Sequence, residues 1–152
     1  MRARDLMTPE PACCTPDDDL EHVARLMREN DCGAIPVCES TNPGEVLGMV
    51  TDRDLAVRGL ADGLGPDARV RDCMTGAVHA CSPESSLDEV EEVMARHGVR
   101  RVPIIDTDGN LLGIISQADL ALADDGDVSD REVAEVVETI STPGGPGSSN
   151  SS

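Results

Sequence analysis

The sequence predicts an α+β fold in which one strand–helix–strand–strand–helix (βαββα) unit is used twice, and three observations support this. First, a segment near the N-terminus returns 67 residues later: Asp5, Met7, Thr8, Pro16, Leu20, Val23, Met27 and Pro36 reappear as Asp72, Met74, Thr75, Pro83, Leu87, Val90, Met94 and Pro103. Second, past Pro36 the register slips by two residues, so that Leu47, Gly48, Asp54 and Leu55 answer to Leu112, Gly113, Asp119 and Leu120. Third, helical and strand periods follow one another in the same order in both copies. A repeat of this length is one supersecondary unit whose open face its twin covers.

Taken in order, Ala12-Cys13-Cys14 and Val78-His79-Ala80-Cys81 read as short strands. Thr15-Pro16 and Ser82-Pro83 then offer a hydroxyl N-cap before a proline at the first helical position. Leu20, Val23 and Met27 make one apolar helix face, and Leu87, Val90 and Met94 make its twin. The helices stop near Asn30 to Gly33 and at Gly98. Ala34–Cys38 and Val46–Val50 flank a Gly-bearing loop, as do Val102–Ile105 and Leu111–Ile115, so each pair predicts an antiparallel hairpin. The crossover through the helix makes the first two strands of each unit parallel. A last short helix opens at Thr51 in one copy and at Ser116 in the other.

The domain division that follows is 1–66 for the first repeat with its linker and 67–124 for the second. A short C-terminal helix is expected over 125–140, started by the capping-box pattern Ser129-Asp130-Arg131-Glu132 and carrying Val133, Val136, Val137 and Ile140. Residues 141–152, rich in Ser, Gly and Pro, read as a disordered tail.

The formal net charge is −18, and all twelve basic residues are arginine. Such a field opposes nucleic acid and anionic membranes, so neither is expected as a partner. The chain has no Phe, Tyr or Trp, which excludes aromatic platforms for single-stranded bases. No apolar run reaches the length of a membrane span, and the first residues lack a secretory signal, so a cytoplasmic location is expected.

The chemically loaded positions are Gly48-Met49-Val50-Thr51-Asp52-Arg53-Asp54 and Gly113-Ile114-Ile115-Ser116-Gln117-Ala118-Asp119. In both, a strand ends in a hydroxyl residue with a carboxylate three positions on. That pattern caps a helix. It also suits a nucleotide, because free N–H groups and a hydroxyl take phosphate and a carboxylate takes a ribose diol. The glycine before each strand end is expected to leave room for a ligand near the backbone.

With the D-L-M-T and D-C-M-T openings at Asp5 and Asp72, the βαββα repeat resembles the tandem CBS (cystathionine β-synthase-type) domain, or Bateman module, over residues 1 to about 124. It is similar to small stand-alone paired-CBS proteins of the actinobacterial hypoxia-response type. The resemblance implies two repeats packed pseudo-symmetrically as one module, with clefts between them, and a flat homodimer. It implies that Thr51 and Ser116 face phosphate or ribose, that Asp54 and Asp119 hold ribose, and that adenine is bordered by Thr15 and Ser82 with Ala34-Ile35-Pro36 and Arg101-Val102-Pro103. Bound AMP, ADP or ATP is the implied ligand, with no cofactor required and an effector protein unidentified.

An anionic ligand must find local cations against the global charge. Arg53, Arg100 and Arg101 are the phosphate candidates, unless they are solvated residues balancing acidic helices. Gly33 and Ala34 stand where the second repeat has Arg100 and Arg101, so unequal clefts are expected, the arginine side favouring charged ligands.

Of the six cysteines, only Cys14 and Cys81 correspond between copies. Small thiols filling a core without aromatics is one reading. Neighbouring strands also make Cys13 and Cys38 a disulfide candidate. His79 and Cys81 share a strand face as weak metal-ligand candidates but fall short of the roughly four ligands of a zinc site. No nucleophile–base pair or glycine-rich phosphate loop points to an enzyme. The function expected is therefore a non-catalytic regulatory sensor of adenosine-type ligands. The alternative is a structural or interaction protein of the same fold, with a redox or metal role for its cysteines.

Overall fold

The computed structural model describes residues 1–41 and 44–127. A short helix α1 (Ala3–Leu6) and a two-residue strand β1 (Thr8–Pro9) lead into α2 (Leu20–Asn30), β2 (Ala34–Cys38), β3 (Val46–Thr51) and α3 (Asp52–Asp54). The chain continues from α3 as a π-helix over Leu55–Leu60, and a 3-10 turn at Val70–Asp72 opens the second copy. There α4 (Leu87–His97), β4 (Arg101–Ile105), β5 (Leu111–Ser116) and α5 (Gln117–Asp127) follow in the same order.

Both hairpins form as predicted. β2 pairs antiparallel with β3, Ala34 opposite Thr51, and β4 pairs with β5, Arg101 opposite Ser116. The strand expected ahead of each helix is reduced to a single parallel bridge, Cys14 with Val37 and Cys81 with Ile104. Only the cysteine backbone bonds there, as in Cys14 N–H to the Pro36 carbonyl at 3.0 Å and Cys81 N–H to that of Pro103 at 3.0 Å.

The helices also begin later than the sequence suggests. Thr15 and Ser82 do not cap them. Each closes a turn instead, its carbonyl accepting from Asp18 N–H or Ser85 N–H at 3.1 Å, with proline at the second position, which its fixed φ favours. The caps are Asp19, which accepts from His22 N–H, and Ser86, which accepts from Glu89 N–H. A helix has apolar surface to bury only from Leu20 and Leu87 onward, and the chain winds there. Termination follows the prediction, with Asp31 (φ 50°) and Gly98 (φ 64°) in the left-handed region.

Each repeat's lead-in segment crosses onto the other repeat. β1 pairs with β5, Thr8 opposite Ile114, and Thr75 bridges Met49 of β3 in the same way. Arg2 bridges Ser86 as Arg69 bridges Asp19, and Arg4 pairs with Glu84 as Arg71 pairs with Asp17. The cores are built accordingly. One holds Leu20, Val23, Met27, Ile35 and Val50 with Val70 and Cys73 from the second lead-in. Its twin holds Val90, Met94, Val102, Ile104 and Ile115 with Ala3 from the first. Glu45 bridges Asn110, its own repeat partner, so the pseudo-two-fold axis passes between them. A third cluster of Cys38, Val46 and Leu111 seals that end.

α5 runs to Asp127, so the division expected at residue 124 falls within it. Apart from 125–127, which continue α5, the helix expected over 125–140 and the tail over 141–152 lie outside the described residues. No described helix is long and apolar enough to cross a membrane.

Candidate functional site

The starts of α3 and α5 carry the motif residues, and both close as capping boxes. Asp54 N–H donates to Thr51 Oγ1 at 3.0 Å, and Thr51 N–H donates to Asp54 Oδ2 at 3.0 Å. Ser116 and Asp119 repeat this at 3.1 and 2.9 Å. The first N–H of each helix is committed too, Asp52 N–H to the Gly33 carbonyl at 2.9 Å and Gln117 N–H to that of Arg100 at 2.8 Å. Both hydroxyls therefore serve the fold. Each aspartate keeps one carboxylate oxygen outside its box, and all four side chains are half-buried.

The space expected beside the two strand glycines is filled by the exchanged lead-ins. A Cβ on Gly48 would lie 2.2 Å from the Thr75 carbonyl oxygen, and one on Gly113 would lie 2.5 Å from Met7 Sδ and 2.8 Å from the Thr8 carbonyl oxygen. The glycines admit protein backbone, not ligand.

Two adjoining cavities lie between the repeats. One of about 380 Å³ sits where α3 and α5 converge and is lined by the repeat partners Asp52 and Gln117 and by Gly33 and Arg100, with Asp31, Arg101 and Ser116. The other, about 230 Å³, is walled by Ala34, Ile35 and Pro36 of β2 and by the lead-in from Thr8 to Ala12, with Asn30, Arg101 and Ile114. Cys32 and Arg101 line both. Arg101 thus faces the wall of the first repeat, because the pseudo-two-fold axis sets the start of β4 beside the start of β2. The sequence had tied it to the wall of its own repeat.

Of the residues singled out from sequence, Ile35, Pro36, Arg100, Arg101 and Ser116 line these cavities. Thr15, Ser82, Thr51, Asp54, Asp119, Val102, Pro103 and Arg53 line neither. Val102 and Pro103 are fully buried in β4, and Arg53 is exposed on α3. Lining residues that sequence did not flag include Asp31, Asp52, Asn30 and Gln117. Each is polar and ends or begins a helix, a signal easily read as capping alone. Asp31 and Asp52 face the same cavity as Arg100 and Arg101, so the cations are locally opposed.

The six cysteines are free thiols. Cys13 and Cys38, the disulfide candidate, are both in the thiol form here, with a side-chain hydrogen bond between them. That bond, ahead of opposing desolvation, lowers the Cys13 pKa to about 7, while Cys38 is pushed up and keeps its proton. Cys14 lies in the first core and desolvation raises it to about 12. Neither Cys81 nor His79 meets the other's needs as a ligand. The segment carrying them is not a strand, Cys81 is buried in the second core, and His79 stacks on His97 with ring centroids 3.7 Å apart at 14°. Among the described residues, no group of three or more His, Cys, Asp or Glu converges as a metal site.

The CBS domain family model matches residues 3–59 and 70–126. Hypoxic response protein 1 of Mycobacterium tuberculosis is 38% identical over 120 residues, 78% of this chain and 82% of that one. The CBS domain-containing protein YhcV of Bacillus subtilis is 38% identical over 119 residues, with the same coverage of 78% and 82%. Among solved structures, Hypoxic Response Protein I with two coordinated zinc ions superposes with a TM-score of 0.73 at 37% identity, covering 80% of this chain and 98% of that one. CBSX2 in complex with AMP superposes with a TM-score of 0.70 at 22% identity, covering 80% and 94%.

Proposed function

Because the chain belongs to the CBS-domain family, as a tandem pair, we propose that it is a non-catalytic regulatory module that binds an adenosine-type ligand between its repeats. The observation that carries this reading is the pair of adjoining cavities joined by Arg101. An apolar wall of Ala34, Ile35 and Pro36 suits a base, and the polar end beneath the α5 start suits a ribose phosphate. A similar fold is solved in complex with AMP. Asp31 and Asp52 oppose the arginines, and the chain carries −18 overall, so a monophosphate is favoured over ATP. Val57 and Leu122, repeat partners on the two final helices, are 48% and 68% exposed and suit contact with a second copy in a homodimer.

Thermal unfolding tests this, since a ligand bound only by the folded state raises the melting temperature by mass action. AMP at about 100 times its Kd is expected to add roughly 2.7 kcal/mol, with light scattering of the same samples giving the mass of a dimer. Asp54 and Asp119 cap their helices, so replacing them would mix two effects. A 2′,3′-dideoxy analogue of AMP removes the diol instead and is expected to stabilise less. An unmoved melting temperature at millimolar AMP rejects the reading.

The hydrogen-bonded thiols favour a second role. We propose that Cys13 and Cys38 exchange with a low-molecular-weight disulfide. The Cys13 thiolate attacks it and expels one thiol, then Cys38, losing its proton, attacks Cys13 Sγ of the mixed disulfide and expels the second. With the Cys13 pKa lowered to about 7, the rate is expected to rise as pH increases through that value and to level off above it. Thiol titration in denaturant then reads two fewer than the six of the reduced protein. A rate that keeps climbing to the usual thiol range, or an unchanged count, excludes it.

A further inference from the structure

The repeat makes each cleft a control for the other. The cavity walled by β2 is lined by Ala12 of the first lead-in and by Asn30 at the end of α2. Adding the repeat offset of 67 to these positions gives His79 and His97. A small side chain and a short amide are thus replaced by two imidazoles, and the rings are in stacked contact at 3.7 Å. The exchanged lead-ins keep the two halves equivalent here, Thr8 opposite Ile114 matching Thr75 opposite Met49. The histidines therefore meet at the two positions whose counterparts, Ala12 and Asn30, line the first cavity.

We propose that the protein takes one adenosine-type ligand per chain, in the cleft walled by β2, and that the stacked His79–His97 pair closes the twin cleft. This rests on the nucleotide reading above and names which of the two sites is used. His97 titrates below its ordinary range, first through desolvation and then through His79 and Arg96 beside it, which favours its uncharged ring in the stack.

Calorimetric titration with AMP reads the number of sites directly. The wild-type chain is expected to bind one equivalent. The double variant H79A/H97N gives the second cleft the residues of the first and is expected to bind two. The reciprocal variant A12H/N30H alters surface-accessible positions of the open cleft and is expected to lose affinity by about tenfold or more. It keeps the test alive if the first variant folds poorly. Two equivalents in the wild type, one in a folded H79A/H97N, or undiminished affinity in A12H/N30H overturns the proposal while leaving the nucleotide reading intact. No binding by the folded wild type overturns both.

Discussion

Gly48→Ala is expected to lower the melting temperature by roughly 10 °C. The added Cβ would sit 2.2 Å from the Thr75 carbonyl oxygen and 3.1 Å from its carbon, atoms of backbone that cannot swing aside. Relief requires the second lead-in to lift from β3, breaking Met49 N–H to Thr75 O at 3.0 Å and Thr75 N–H to Met49 O at 2.9 Å. Overpacking costs about 1–3 kcal/mol and each lost hydrogen bond about 1 kcal/mol more. Gly113→Ala is expected to cost less, because its tightest contact, Met7 Sδ at 2.5 Å, belongs to a flexible side chain and its backbone contact, the Thr8 carbonyl oxygen, lies at 2.8 Å against 2.2 Å at Gly48. Gly76→Ala, with nothing within 4 Å, is the control and should leave the melting point within error. Calorimetric scans of the three variants check the order. A Gly48→Ala protein melting with the control would mean that the lead-ins do not cross as described.

Arg101→Ala is expected to weaken AMP binding by about 1.5–3 kcal/mol, or roughly 10- to 150-fold. Arg101 is half-buried at the start of β4 and lines both cavities, so its guanidinium can reach a phosphate seated beneath the α5 start from the side of the apolar wall. A charge-assisted fork in a partly shielded site contributes far more than an exposed ion pair. Adenosine, lacking the phosphate, should bind both proteins nearly equally, and this difference separates a lost phosphate contact from a collapsed cleft. Arg101→Lys should recover part of the affinity, since it restores the charge without the planar fork. Equal AMP affinity in wild type and Arg101→Ala would remove Arg101 from the site.

Much of this architecture was legible in the residues. Leu20, Val23 and Met27 are buried where a 3.6-residue period puts them, and Gly98 ends α4 with φ 64° because few other residues do so without strain. Both hairpins follow from apolar runs flanking turn residues. The misreadings were local and had one cause: a short polar motif serves several backbone geometries equally well. Thr15-Pro16 fits a helix start and a turn, and the turn won because the residues up to Asp19 had no apolar surface to bury. Thr51 and Ser116 are a different case: their hydroxyl oxygens accept the capping N–H, and each hydroxyl keeps a proton to donate elsewhere. Of the candidate site, Ile35, Pro36, Arg100, Arg101 and Ser116 were within reach of sequence reasoning. Asn30 and Asp31 were not, because a polar helix end carries no mark of which cavity lies beside it.

Period, turn chemistry and composition by themselves determined that one βαββα unit is used twice, with a core of small aliphatic and thiol side chains. These are properties of neighbouring residues, and local sterics and burial enforce them wherever the segment lies. Only the tertiary structure decided that each lead-in packs on the opposite repeat, that Gly48 and Gly113 make room for that crossing, that Arg101 faces the wall of β2, and that His79 meets His97. All four depend on the placement of one repeat against the other about the pseudo-two-fold axis. That placement brings together residues far apart in the chain, and no periodicity within either copy encodes it.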